Sequence, residues 1–211
     1  MGLQKRRSRL NKAGKFTVGI ALIFEIILLV HGLTALWQKQ WPDLGLSALA
    51  MATILVPWLL HYLANRVHLK LPPGFVMAGV VFIFLAQYLG EIRKFYQTFW
   101  WWDIFLHGLF GVLAVLFALY MLQSNLKKQG QLSKARFTLF LALLSLCFAM
   151  ACSAAWELFE YMGDIVLPVK MVKGGLEDTM SDLFSGSLTA LLTAAGYYFL
   201  WRFMHRDKTR I

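Results

Sequence analysis

In a chain of 211 residues, 59% are hydrophobic and only 15% are charged, which excludes a soluble globular domain. The net charge of +10 invites a nucleic-acid reading, but no RNA- or DNA-binding motif accompanies it. Basic flanks against anionic lipid head groups account for the excess, so membrane lipid is the expected partner and nucleic acid is not.

The charges sit in short clusters between apolar runs of about 20 residues, the length that crosses a hydrocarbon core about 30 Å thick. A basic tail over residues 1–15 leads into the first run, 16–36. That run is too long for a cleavable leader and no A-x-A-like site follows it, so it reads as a retained anchor. The second run covers 44–64. The third, 74–90, is the shortest and opens after Pro72 and Pro73, where a missing N–H costs nothing. The fourth, fifth and sixth cover 102–122, 137–160 and 182–201, and a second basic tail closes the chain over 202–211. The expected fold is all-α: a polytopic transmembrane helical bundle of six spans, with one transmembrane domain over 16–201. Cys147 and Cys152 lie five apart on the fifth run, too far round a helix to bridge, and read as small buried packing residues.

Sixteen of the 21 Lys and Arg residues fall in the two tails and the second and fourth loops. Only Lys39, Arg93, Lys94, Lys170 and Lys173 fall in the other three loops. Basic residues concentrate on the cytoplasmic side, so both termini are expected there, in a bacterial-type inner membrane.

The acids are distributed the opposite way. Of eleven, only Asp207 lies on the expected cytoplasmic side, and Glu25 lies near the middle of the first span. Asp43 and Glu177 are loop residues; the rest, Glu91, Asp103, Glu157, Glu160, Asp164, Asp178 and Asp182, gather near the outer surface. His107 stands one turn inside the fourth span and His31 in the outer half of the first. Asp103 and His107 are four apart and share a helix face, as do Asp178 and Asp182. Glu157, Glu160 and Asp164 fall within about 60° of one another around a helix. Continuing the Asp182 stripe inward gives Gly186, Ala190 and Ala194, small residues that let helices approach closely in lipid. That face should point inward.

Ordinary roles explain some of these groups. Asp103, Asp178 and Asp182 open helices, where acids cap free N–H groups. Either histidine can be a lone membrane imidazole bonded to a neighbouring helix. The run Phe99, Trp100, Trp101, Trp102 suits an interfacial belt. Glu157 and Glu160 resist such readings, because the C-terminal end of a helix disfavours negative charge. They call for a cation, shared protons, or basic partners such as Arg93, Lys94, Lys170 or Lys173. Glu25, an intramembrane ionisable group, is a functional candidate by default.

The stretch Phe95-Tyr96, Trp101-Trp102-Asp103, Leu106-His107 and Gly111 resembles the first signature of the YjdF-like inner-membrane family. Trp156-Glu157-x-x-Glu160 followed by Asp164 resembles the second. Gly174-Gly175-Leu176-x-Asp178-Thr179-Met180-x-Asp182-Leu183 resembles the third. The resemblance covers spans four to six and implies a multi-pass inner-membrane location, with no particular activity. Ser185-Gly186-Ser187 departs from the polar residue and Gly-Ala pair expected there. The chain is also similar, more faintly, to VanZ-like membrane proteins, which combine an Asp-x-x-x-His start with later Glu and Asp positions.

Three functions are compatible with these residues. One is a non-catalytic membrane protein whose acids form a structural ion or salt-bridge site. A second is a metal-dependent enzyme, with zinc, manganese or magnesium held by Asp103, His107, Glu157, Glu160 and Asp182, supported by Asp164 and Asp178. It would act on a lipid or lipid-linked substrate, although no H-E-x-x-H spacing is present. The third is a small proton-coupled transporter using Glu25, His31 and the acids, although no internal repeat is detectable.

Overall fold

Apolar runs of this length satisfy their backbone polar groups in lipid only as helices, and helices are what form. The computed structural model describes residues 2–126, 133–166, 172 and 174–205, with the side chains of the first helix described from residue 14. It is an all-α polytopic membrane protein in which six stretches are long and apolar enough to span: Gly14–Trp37, Trp41–Arg66, Phe75–Ile92, Trp102–Asn125, Lys134–Val166 and Leu176–His205. The chain divides into two compact units, Met1–Phe99 and Trp100–Ile211.

In the first unit, α1 (Gly2–Trp37) packs along α2 (Trp41–Ile54), followed by α3 (Val56–Arg66) and α4 (Phe75–Ile83). Ala21, Leu28, Ala50, Ile54 and Val80 form its buried core. The second span is broken at Leu55. Pro57 has no N–H for the preceding turn, and Leu55 N bonds back to the Ala52 carbonyl at 3.3 Å instead. Pro57 is itself buried, and a Cβ added to Gly79 would come within 2.8 Å of its Cγ. The third span starts after Gly74, whose φ of 91° favours glycine. It passes into a π-helical segment, Phe84–Ile92, before the short α5 (Phe95–Thr98).

The second unit consists of α6 (Trp102–Asn125), α7 (Lys134–Val166) and α8 (Leu176–His205), each packed on the other two. The Ser185 hydroxyl donates to the Ile104 carbonyl at 2.7 Å and the Thr189 hydroxyl to the Gly108 carbonyl at 2.8 Å. Equal steps along both helices mean that α6 and α8 run parallel in a fixed register. A Cβ on Gly111 would overlap the Gly186 carbonyl and the Thr189 hydroxyl, so this seam tolerates no side chain at that position. Farther from the α6 N-terminus, Ala114, Val115, Leu119, Leu141, Ala142, Ala149, Ala190 and Ala194 close into an apolar core. The buried face of α8 is Asp182, Gly186, Ala190 and Ala194, the stripe expected from the spacing.

Some expectations change. Cys147 is exposed rather than buried, although both cysteines are free, as expected. Trp102, assigned to the belt, is only 7% exposed and packs edge-on against Trp101. The fifth helix continues to Val166, more than two turns beyond Glu157, and α8 begins more than a turn before Asp182. Glu157 is therefore not at a helix end, and Asp182 is not a cap.

Candidate metal centre

Asp103 and His107 lie on one face of α6, as their spacing requires, and Asp182 reaches them from α8. His107 Nε2 lies 3.5 Å from Asp103 Oδ1 and 3.9 Å from Asp182 Oδ2. On the opposite side of the ring, Nδ1 lies 3.7 Å from Glu157 Oε1, which comes from α7. All three helices thus meet at one imidazole. His107, Glu157 and Asp182 are 9%, 6% and 3% exposed. The Asp103 side chain is 29% exposed and forms the open edge.

These separations exceed ordinary hydrogen-bond lengths of about 2.7–3.2 Å. The Asp182 Oδ1, Glu157 Oε1 and Ser153 Oγ atoms are buried and lack a hydrogen-bond partner. Burying such oxygens without partners costs on the order of 1–3 kcal/mol each, more when charged, so a native protein rarely leaves several together. One donor atom from each of Asp103, His107 and Asp182 can be chosen so that all lie within 4.8 Å of one another. Two ligands of one ion are separated by at most twice the bond length, roughly 4.4 Å for zinc and 5.2 Å for calcium. The buried Asp/His cluster is therefore able to ligate a metal ion with little movement.

The other expected residues are engaged differently. Glu160 Oε1 accepts a hydrogen bond from the Trp156 indole at 2.9 Å. Asp164 Oδ2 accepts from Val172 N at 3.1 Å, and Asp178 Oδ2 from Gly174 N at 3.2 Å. None of the three belongs to the three-donor group. Lys170 and Lys173, offered as partners for the acids, lie outside the described residues. In the first unit, His31 Nδ1 lies 2.9 Å from Ser47 Oγ, the interhelical bond of an ordinary membrane histidine. Glu25 Oε1 is buried without a hydrogen-bond partner.

Sequence reasoning missed the residues that set this geometry. Ser185 and Thr189 fix the register that brings Asp182 to His107, and their four-residue spacing beside the Asp182 stripe was the available signal. Ser153, one turn before Glu157 on the buried face of α7, was legible by the same rule.

Residues 16–203 match a family described as "Predicted membrane protein (DUF2238)". A relative from Thermotoga maritima, named "Uncharacterized protein", is 24% identical over 210 residues, which is 99% of this chain and 95% of its own length. No solved structure matches. The family match includes part or all of every span and every residue around His107, and the chain belongs to this membrane protein family, DUF2238.

Proposed function

We propose that this is a bacterial inner-membrane metalloprotein that holds a divalent cation between Asp103, His107 and Asp182 near the outer surface, where the cation activates water against a lipid or lipid-linked substrate. The observation that carries this reading is the set of unpartnered buried carboxyl oxygens, Asp182 Oδ1 and Glu157 Oε1, around one imidazole. A cation between the aspartates supplies what the Asp182 oxygen lacks directly, and what Glu157 Oε1 lacks through the imidazole that the two share. Three protein ligands leave positions free for water or substrate, as catalytic sites do and closed structural sites do not. The part-exposed Asp103 marks the side from which they are reached. One nitrogen and two carboxylates suit zinc or manganese better than magnesium, which favours oxygen and retains its waters. When bound, such an ion lowers the pKa of a coordinated water and polarises a phosphoryl or acyl oxygen.

The apolar core beside the cluster favours this reading over transport, because a path through the second unit would have to cross it. The family match supports a membrane location, and the basic tails, 1–15 and 202–211, support cytoplasmic termini in a bacterial inner membrane.

Metal analysis of detergent-purified protein tests the proposal. One equivalent of zinc or manganese is expected, and none in Asp182→Asn. A wild type that binds neither metal would overturn it. Metal-dependent turnover of a phospholipid or lipid-linked phosphate supports the enzyme; bound metal that raises the melting temperature without turnover indicates a structural ion instead. Single cysteines at positions 130 and 172 fix the sidedness: an impermeant maleimide in spheroplasts should label 172 and not 130.

A further inference from the structure

His107 has two ring nitrogens, and the metal reading uses only one. A neutral imidazole carries one N–H and one lone pair. If Nε2 gives its lone pair to an ion between Asp103 and Asp182, the proton is on Nδ1, deep in the protein, and needs an acceptor. We infer that Glu157 is that acceptor: a positioning residue, not a metal ligand, which holds His107 in the tautomer whose bare Nε2 faces the metal. This inference rests on the metal reading for its purpose.

Four observations converge on it. Glu157 Oε1 faces Nδ1 at 3.7 Å, on the side of the ring away from the two aspartates. That oxygen is buried and has no hydrogen-bond partner, and the ring N–H is a donor on its side of the imidazole. The Thr179 side chain approaches the same carboxyl group from a second helix, α8. Finally, Glu157 stands outside the three-donor group, and the ring nitrogen it approaches is Nδ1 rather than the Nε2 that faces both aspartates. Imidazole ligands commonly donate their other N–H to a carboxylate, which fixes ring orientation and raises ligand basicity. Loss of that partner typically weakens metal binding by roughly 10–100-fold without abolishing it. The present 3.7 Å separation is about 0.5 Å longer than a hydrogen bond.

The full-length protein in detergent, titrated with Zn²⁺ and Co²⁺, tests this together with ¹⁵N NMR of histidine-labelled, metal-free protein at mildly alkaline pH. Replacement of His107 assigns its signals. In the wild type, Nδ1 should appear protonated and Nε2 bare. Glu157→Ala should lose that tautomer preference, bind Zn²⁺ roughly 10–100-fold more weakly, and retain one Co²⁺ site with an altered absorption spectrum. Glu157→Gln, which keeps an acceptor oxygen and the side-chain volume, should fall between the two and serves if the alanine variant does not fold. Unchanged tautomer and affinity in both variants would overturn the inference. So would complete loss of the metal in Glu157→Gln with the tautomer unchanged, because that is the behaviour of a ligand. If the wild type binds no metal, the metal reading fails, while the tautomer comparison still decides whether Glu157 holds the ring.

Discussion

In the first unit, His31 meets Ser47 at 2.9 Å, and that serine also donates to the Asp43 carbonyl at 2.9 Å. In the second, His107 has three carboxylates around it at 3.5–3.9 Å, two of them with an oxygen that lacks a hydrogen-bond partner. The backbones differ in the opposite sense. The first unit bends at Pro57 and winds into a π-helix over Phe84–Ile92, whereas the second consists of three unbroken helices. A polar pair that satisfies itself needs nothing more than a neighbouring helix. A polar group left unsatisfied inside a rigid frame calls for a further component, and that distinguishes a binding site from a membrane histidine more sharply than depth or residue type does. Glu25 marks the boundary of the rule: its Oε1 also lacks a partner, but Asp103, His107 and Asp182 are the three-residue group that forms among the described residues.

The comparison breaks most directly on metal binding. Asp182→Asn is expected to remove stoichiometric zinc or manganese, whereas His31→Ala should leave it unchanged; isothermal titration of both variants checks this, and loss in the His31 variant would erase the contrast. The next largest effect concerns the α6–α8 seam. Gly111→Ala forces a Cβ into the Gly186 carbonyl and should cost about 3 kcal/mol, the upper end of overpacking. At Gly196 nothing lies within 4 Å of an added Cβ, so Gly196→Ala should gain up to about 1 kcal/mol from helix propensity. Melting temperatures in one detergent should therefore move in opposite directions. Ala190 has no exposed surface, and Ala190→Leu should cost about 2 kcal/mol, with some loss of metal affinity as α8 shifts Asp182. The smallest effect is at Ser47→Ala in the first unit, about 0.6 kcal/mol for a single interhelical bond in lipid, with metal binding unaffected.

Much of this was legible in the chain. Six spans follow from apolar length alone, and the Asp182–Gly186–Ala190–Ala194 face follows from helical spacing. The pairing of Asp103 with His107 follows from the same rule. What escaped has physical reasons. Hydropathy marks where the apolar run ends, not where the helix ends, so α7 extends past Glu160 and Asp164 and removes the dipole argument first made for Glu157. The Trp156 indole, four residues before Glu160, takes up one of its oxygens, a local bond that the acid pattern did not reveal. The break at Leu55 had a signal in Pro57, but the π-helical winding of the third span has no residue pattern that announces it.

The apolar core of the second unit has one further consequence. From His107 to the end of α6 at Asn125 is about 27 Å of helix at about 1.5 Å per residue, and much of that length is packed with alanine, valine and leucine. Such a stretch is an electrical insulator. A charge moved across a full membrane gains or loses about 2.3 kcal/mol for every 100 mV. An ion entering at the Asp103 edge would stop before the insulating layer and cross little of that field. Metal affinity measured in proteoliposomes should accordingly be indifferent to an imposed diffusion potential of either sign.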